Sequence, residues 1–123
     1  MSLRTRPVLV AAMAAVFVPS TTFADLLGSQ GTIDSLTVYE STSDDYAMNN
    51  GILVLKEEGG AKTTYKWGGS WCPNRTLSAS SVALLFDAQR SAVDIAVIPS
   101  YKTGNAGTKC LTGLKFKTLE RTP

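Results

Sequence analysis

Histidine is missing from these 123 residues, cysteine occurs only twice, and no apolar run is long enough to span a bilayer. Each shortage excludes something. Without histidine there is no Ser-His-Asp or Cys-His nucleophilic system, no histidine general base and almost no route to a zinc site. The chain carries no P-loop, no GxGxxG and no EF-hand spacing. Neither the first residues nor the stretch around residue 25 holds a lipobox-type cysteine, so a lipid anchor is not expected. Aromatic residues make up 8% of the chain, few enough that their placement carries information.

The longest apolar run, residues 8–18, has 11 members. It follows Arg4 and Arg6, is broken by Pro19 and Ser20, and leads to Thr22-Phe23-Ala24 before Asp25. A positive start, a short apolar stretch and a small-residue cleavage site make a secretory signal peptide, and the run is too short for a membrane span. The reading is therefore a signal peptide over residues 1–24 and a single mature domain over 25–123, secreted or periplasmic, with no membrane anchor after cleavage. The charge balance changes with it. The 12 Lys+Arg and 10 Asp+Glu of the whole chain include no acid before residue 25, so removing Arg4 and Arg6 leaves a mature part of zero net charge. The precursor's positive balance is thus no sign of nucleic-acid or anionic-membrane binding. Near-neutral proteins have little charge repulsion, which leaves a homo-oligomer open. In an oxidising compartment Cys72 and Cys110 are expected to form a disulfide.

The mature part alternates in a β-like way. Residues 31–40 (GTIDSLTVYE) read as a strand with Leu36 and Val38 on one face. Residues 41–51 form a polar loop, 52–56 a second strand, Glu57-Glu58-Gly59-Gly60 a hairpin turn, and 62–67 (KTTYKW) a third strand. Residues 68–74 are irregular by composition. Ser78 or Ser80 can then cap a helix in which Val82, Leu85, Phe86 and Gln89 keep helical spacing, and its apolar content predicts that it is mostly buried. Residues 92–98 read as a fourth strand with Val93, Ile95 and Val97 on one face, ended by Pro99. After a loop over 101–109, residues 110–119 form a fifth strand, with Leu114 and Phe116 facing inward and Lys115 and Lys117 outward. The predicted fold is mainly β with one helix, in the order β-β-β-α-β-β.

Candidate chemistry follows from what remains. Asp44-Asp45 and Glu57-Glu58 lie in a loop and a turn, where solvated carboxylates are the plain reading and a catalytic pair or a Ca²⁺ site with Asn49 and Asn50 has no recognisable spacing. The chain reads as a non-enzyme without cofactor or metal. Trp67, Trp71 and Tyr101 fall in or beside the glycine-containing loops around the cysteines, with Arg75, Lys102 and Asn105 near them. Rings with a polar edge suit sugar stacking or a protein interface. The competing reading is packing, with Trp67 over the disulfide and the others filling the barrel ends. Asn74-Arg75-Thr76 is an N-glycosylation sequon, relevant only in a eukaryotic secretory pathway.

Five short strands with a helix between the third and fourth is the layout of a small OB-like barrel, here closed by one disulfide. The run SASSVALLFDAQRSAVDIAVIPSYK and the late cysteine in KCLTGLKF carry a resemblance to the B subunits of bacterial AB5 toxins, the pertussis-like and subtilase-like branch, and to other small secreted bacterial proteins. The resemblance implies a ring-forming, exported binding subunit. The expected function is a binding domain whose partner is a glycan or a protein, and not a nucleic acid. The alternatives are a structural or assembly subunit of a larger exported complex and, last, a carboxylate-based hydrolase.

Overall fold

The computed structural model describes residues 24–120. The leader assigned to residues 1–24 lies outside the described residues, apart from Ala24. Six strands and one helix follow: β1 (Leu26–Leu27), β2 (Gly31–Val38), β3 (Gly51–Glu57), β4 (Lys62–Trp67), α1 (Ala79–Arg90), β5 (Ile95–Thr103) and β6 (Lys109–Thr118). The sheet runs in the order β1-β5-β2-β3-β4-β6, and β5 also pairs with β6. That last pairing closes β2 to β6 into a five-stranded OB-like barrel, with β1 as an extra strand on the edge of β5.

The barrel is closed unevenly. β2–β3, β3–β4 and β5–β6 are long antiparallel ladders. β4 and β6 run parallel and meet at one pair, Lys66 with Cys110, while β2 and β5 meet at Gly31 with Val97. Alternating side chains fill the interior: Leu53, Leu55, Tyr65, Val97 and Leu111 are all buried, together with Trp67 and the helical Leu85. Burying aliphatic side chains of this size contributes roughly 1.5–3 kcal/mol each. Burial also pushes the Tyr65 phenol above its ordinary pKa, with smaller contributions from Tyr101 and Glu57.

Several expectations need correcting. Pro99 does not end the fourth strand, which continues to Thr103. The Pro99 carbonyl accepts from the Gly28 N–H at 2.8 Å on the side of β1, so the missing proline donor falls where β2 has left and β1 begins. Val93 lies before the strand in a turn and is 71% exposed, so it shares no face with Ile95 and Val97. In β2, Ile33 pairs with Leu55 and Ser35 with Val54, leaving Asp34 as the extra residue of a bulge. The bulge shifts the alternation, so that Ile33 and Leu36 both pack toward the core.

The helix is shorter on burial than its composition suggests. Ser78 caps it, its Oγ accepting from the Ser81 N–H at 3.2 Å. Only Leu85 and Ala88 are buried, whereas Leu84 and Phe86 are about half exposed at 53% and 52%. Neighbours in a helix differ by about 100° around the axis, so the residues on either side of Leu85 are carried to opposite flanks.

Gly51 starts β3 directly beneath the Trp67 ring, where a Cβ would overlap the six-membered ring of the indole. Overpacking of this kind costs about 1–3 kcal/mol. Gly51→Ala is expected to lower the unfolding free energy in urea by that amount, and an unchanged midpoint would contradict the packing described.

Candidate binding site

At the end of β4 the chain leaves the barrel, and three loops (residues 39–50, 68–77 and 104–108) are bonded together around the disulfide. Cys72 and Cys110 form that bond, with Cα atoms 5.6 Å apart. The Trp71 N–H donates to the Met48 carbonyl at 3.0 Å and the Ser70 N–H to that of Ala47 at 2.9 Å, which ties the second loop to the first. Asn105 ties the third to the second: its N–H donates to the Trp71 carbonyl at 3.0 Å and its Nδ2 to the Ser70 carbonyl at 2.6 Å. Thr76 Oγ1 donates to Asn50 Oδ1 at 2.8 Å. Gly104 passes so close that a Cβ there would overlap both Cys110 Sγ and the Trp71 carbonyl oxygen.

The six residues singled out from the sequence separate into three groups. Arg75 and Lys102 come together, lining one cavity of about 460 Å³ with Leu26 and Thr103, although they are far apart in the chain. Cys110 explains the meeting. It pairs with Lys102 across β5–β6 and is bonded to Cys72, three residues before Arg75. Lys102 Nζ also stands 3.7 Å from Asp25 Oδ1.

Trp71 and Asn105 are joined to each other in the loops, outside the lining of that cavity. Trp71 is half-buried, with Lys66 Nζ 5.2 Å from its ring centroid. Asn105 is exposed, and its amide nitrogen is spent on holding the loops. Trp67 and Tyr101 belong elsewhere. Trp67 is 2% exposed and packs in the core, so its ring faces no ligand space, and the expectation of a contact there is corrected. Tyr101 precedes Lys102 on a strand, and consecutive strand side chains point to opposite faces. Its ring lies against Tyr65 at 5.7 Å and 60°, with Lys109 Nζ 5.4 Å from its centroid.

Sequence reasoning missed Lys66 and Lys109, the two cations that stand over these aromatic rings. The alternation Lys62-Thr64-Lys66 was the one available signal, since it places those side chains on a common face. Among the described residues, no group of three or more Asp, Glu or Cys side chains gathers as a metal cage, and no helix is long and apolar enough to cross a membrane. Asn74 of the sequon is exposed at φ 64°.

The fold and site together define a class: an OB-like barrel with a disulfide-stapled loop face. Beyond that class, the chain matches no family description, no curated protein and no solved structure.

Closing a chain segment with a sequence separation of 38 restricts the unfolded state. The loop-entropy relation assigns such a crosslink roughly 4 kcal/mol. Cys72→Ala with Cys110→Ala is expected to lose about that much in chemical denaturation. A loss below about 1 kcal/mol would show that the bond contributes little beyond what the ladders supply.

Proposed function

We propose that this chain is an exported, non-catalytic binding module that takes a glycan at its stapled loop face. The observation that carries the reading is the cavity shared by Arg75 and Lys102, with Leu26 and Thr103 in its wall. An arginine fork supplies paired hydrogen-bond donors, an ammonium supplies a third direction, and Leu26 offers an apolar contact for a sugar face. OB-fold barrels as a class use their loops and strands for oligosaccharides and oligonucleotides, which is support by analogy of fold alone. The disulfide fits an oxidising, extracellular or periplasmic environment. With no histidine and both cysteines bonded, histidine-based and thiolate-based nucleophilic systems are lacking, which favours binding over catalysis.

A second reading, an assembly subunit or a toxin-B-like ring, is favoured by one observation. Leu27 is 77% exposed on the short edge strand β1, and Leu84 and Phe86 are open on α1. Edge strands and exposed apolar side chains are where chains associate.

The glycan reading is tested on an array of neutral and acidic glycans with the oxidised protein. Lys102→Gln and Arg75→Gln are each expected to weaken the best ligand by about tenfold or more, equivalent to about 1.4 kcal/mol, with little change in melting temperature. Silence across the array, with a concentration-dependent mass in solution, would favour the assembly reading instead.

A further inference from the structure

A second surface lies at the parallel seam of the barrel. Because β4 meets β6 only at Lys66 with Cys110, the two strands leave an open trough of about 520 Å³ beside that pair. Its walls carry Lys62, Thr63, Thr64 and Lys66 from β4, with Thr108 from the loop before β6 and Lys109 from its start. Two carboxylates border it: Glu57 Oε2 accepts from Thr63 Oγ1 at 2.6 Å, and Asp34 is held by Lys62. The Lys62–Asp34 separation is 3.2 Å. Lys66 and Lys109 make no ion pair among the described residues, and each stands over an aromatic ring, Trp71 and Tyr101. With Lys62 balanced by Asp34, the local excess that the overall balance conceals is the pair of cations Lys66 and Lys109.

We propose that this trough binds an anionic polysaccharide, a chain of repeating carboxylates or sulfates. The spacing argues for a chain rather than a single ion. Lys62 and Lys66 are four residues apart on an extended strand, about 13 Å, and Lys109 faces them from the other wall. One small anion reaches no more than a part of this set, whereas a polymer meets it in sequence. The Thr64 and Thr108 hydroxyls can donate or accept hydrogen bonds along the same path, while that of Thr63 already donates to Glu57.

The rings argue against a nucleic acid. Single-stranded nucleic acid is held by stacking bases on open aromatic faces, and here the ring faces nearest the trough are covered by ammonium groups. This site is separate from the Arg75–Lys102 cavity, and its occupancy does not depend on which glycan that cavity takes.

The test uses the oxidised protein with heparin, polygalacturonate and a thymidine oligonucleotide as probes, measured by titration calorimetry at low and at physiological salt. Heparin or polygalacturonate is expected to bind more tightly than the oligonucleotide, with affinity falling as salt rises. Lys66→Gln with Lys109→Gln should weaken that binding by about tenfold or more, whereas Lys66→Arg with Lys109→Arg should retain it. Lys115→Gln with Lys117→Gln, on the outward face of β6, should have no effect, nor should Arg75→Gln. Absence of polysaccharide binding overturns the proposal, as does equal binding by a folded Lys66→Gln/Lys109→Gln variant. Preference for the oligonucleotide, or loss through Lys115 and Lys117 instead, overturns it too. Melting temperatures separate lost binding from lost folding, and Lys109→Gln alone serves if the double variant is unstable. Array binding through Arg75 persisting in the Lys66→Gln/Lys109→Gln variant distinguishes the two sites.

Discussion

Cys110 stands at three junctions of this molecule. It is the β6 member of the only pair joining β4 to β6, it faces Lys102 across the β5–β6 ladder, and its sulfur is bonded to Cys72 in the loop that follows β4. A barrel closed by one parallel pair has little backbone hydrogen bonding at that seam. The covalent link supplies what the seam lacks, and it does so where three loops must also converge. Fold closure and site formation therefore rest on the same bond.

Much of this was legible in local pattern. The strand from Lys62 to Trp67, the Glu57–Gly60 turn and the Ser78 cap follow from alternation, glycine and a serine before an apolar helical run, all of which act within a few residues. With two cysteines, the disulfide needed only an oxidising compartment to be expected. What escaped the sequence depends on neighbours far along the chain. Whether Pro99 breaks a strand turns on which strand lies beside its nitrogen, and at that point there is a change-over from β2 to β1. The bulge at Asp34 and the open flanks of α1 are set by how the sheet curves and how the helix rolls onto it, and neither leaves a periodic mark.

The candidate site shows the same division. Proximity to the cysteines identified Arg75, Lys102, Trp71 and Asn105 as one region, and the staple does gather them, two by a shared cavity and two by backbone bonds. It could not sort side chains by face. Tyr101 and Lys102 are adjacent in sequence yet lie on opposite sides of β5, and Trp67 ends inside the core because β4 alternates Tyr65 and Trp67 inward against Lys66 outward. The same alternation raised Lys62 and Lys66 onto one outer surface, where their charge went unnoticed behind a balanced total. Surface function in a small barrel is thus written in strand phase as much as in composition.

The central claim is that the Cys72–Cys110 bond organises the loop face as well as closing the barrel. Hydrogen–deuterium exchange of the oxidised and reduced protein, under conditions where both remain folded, tests it most directly. Reduction should release the Trp71 and Asn105 amides, whose bonds to Met48 and Trp71 depend on the staple, while the β2–β3 amides keep their protection. Unchanged protection at Trp71 and Asn105 after reduction would contradict the account.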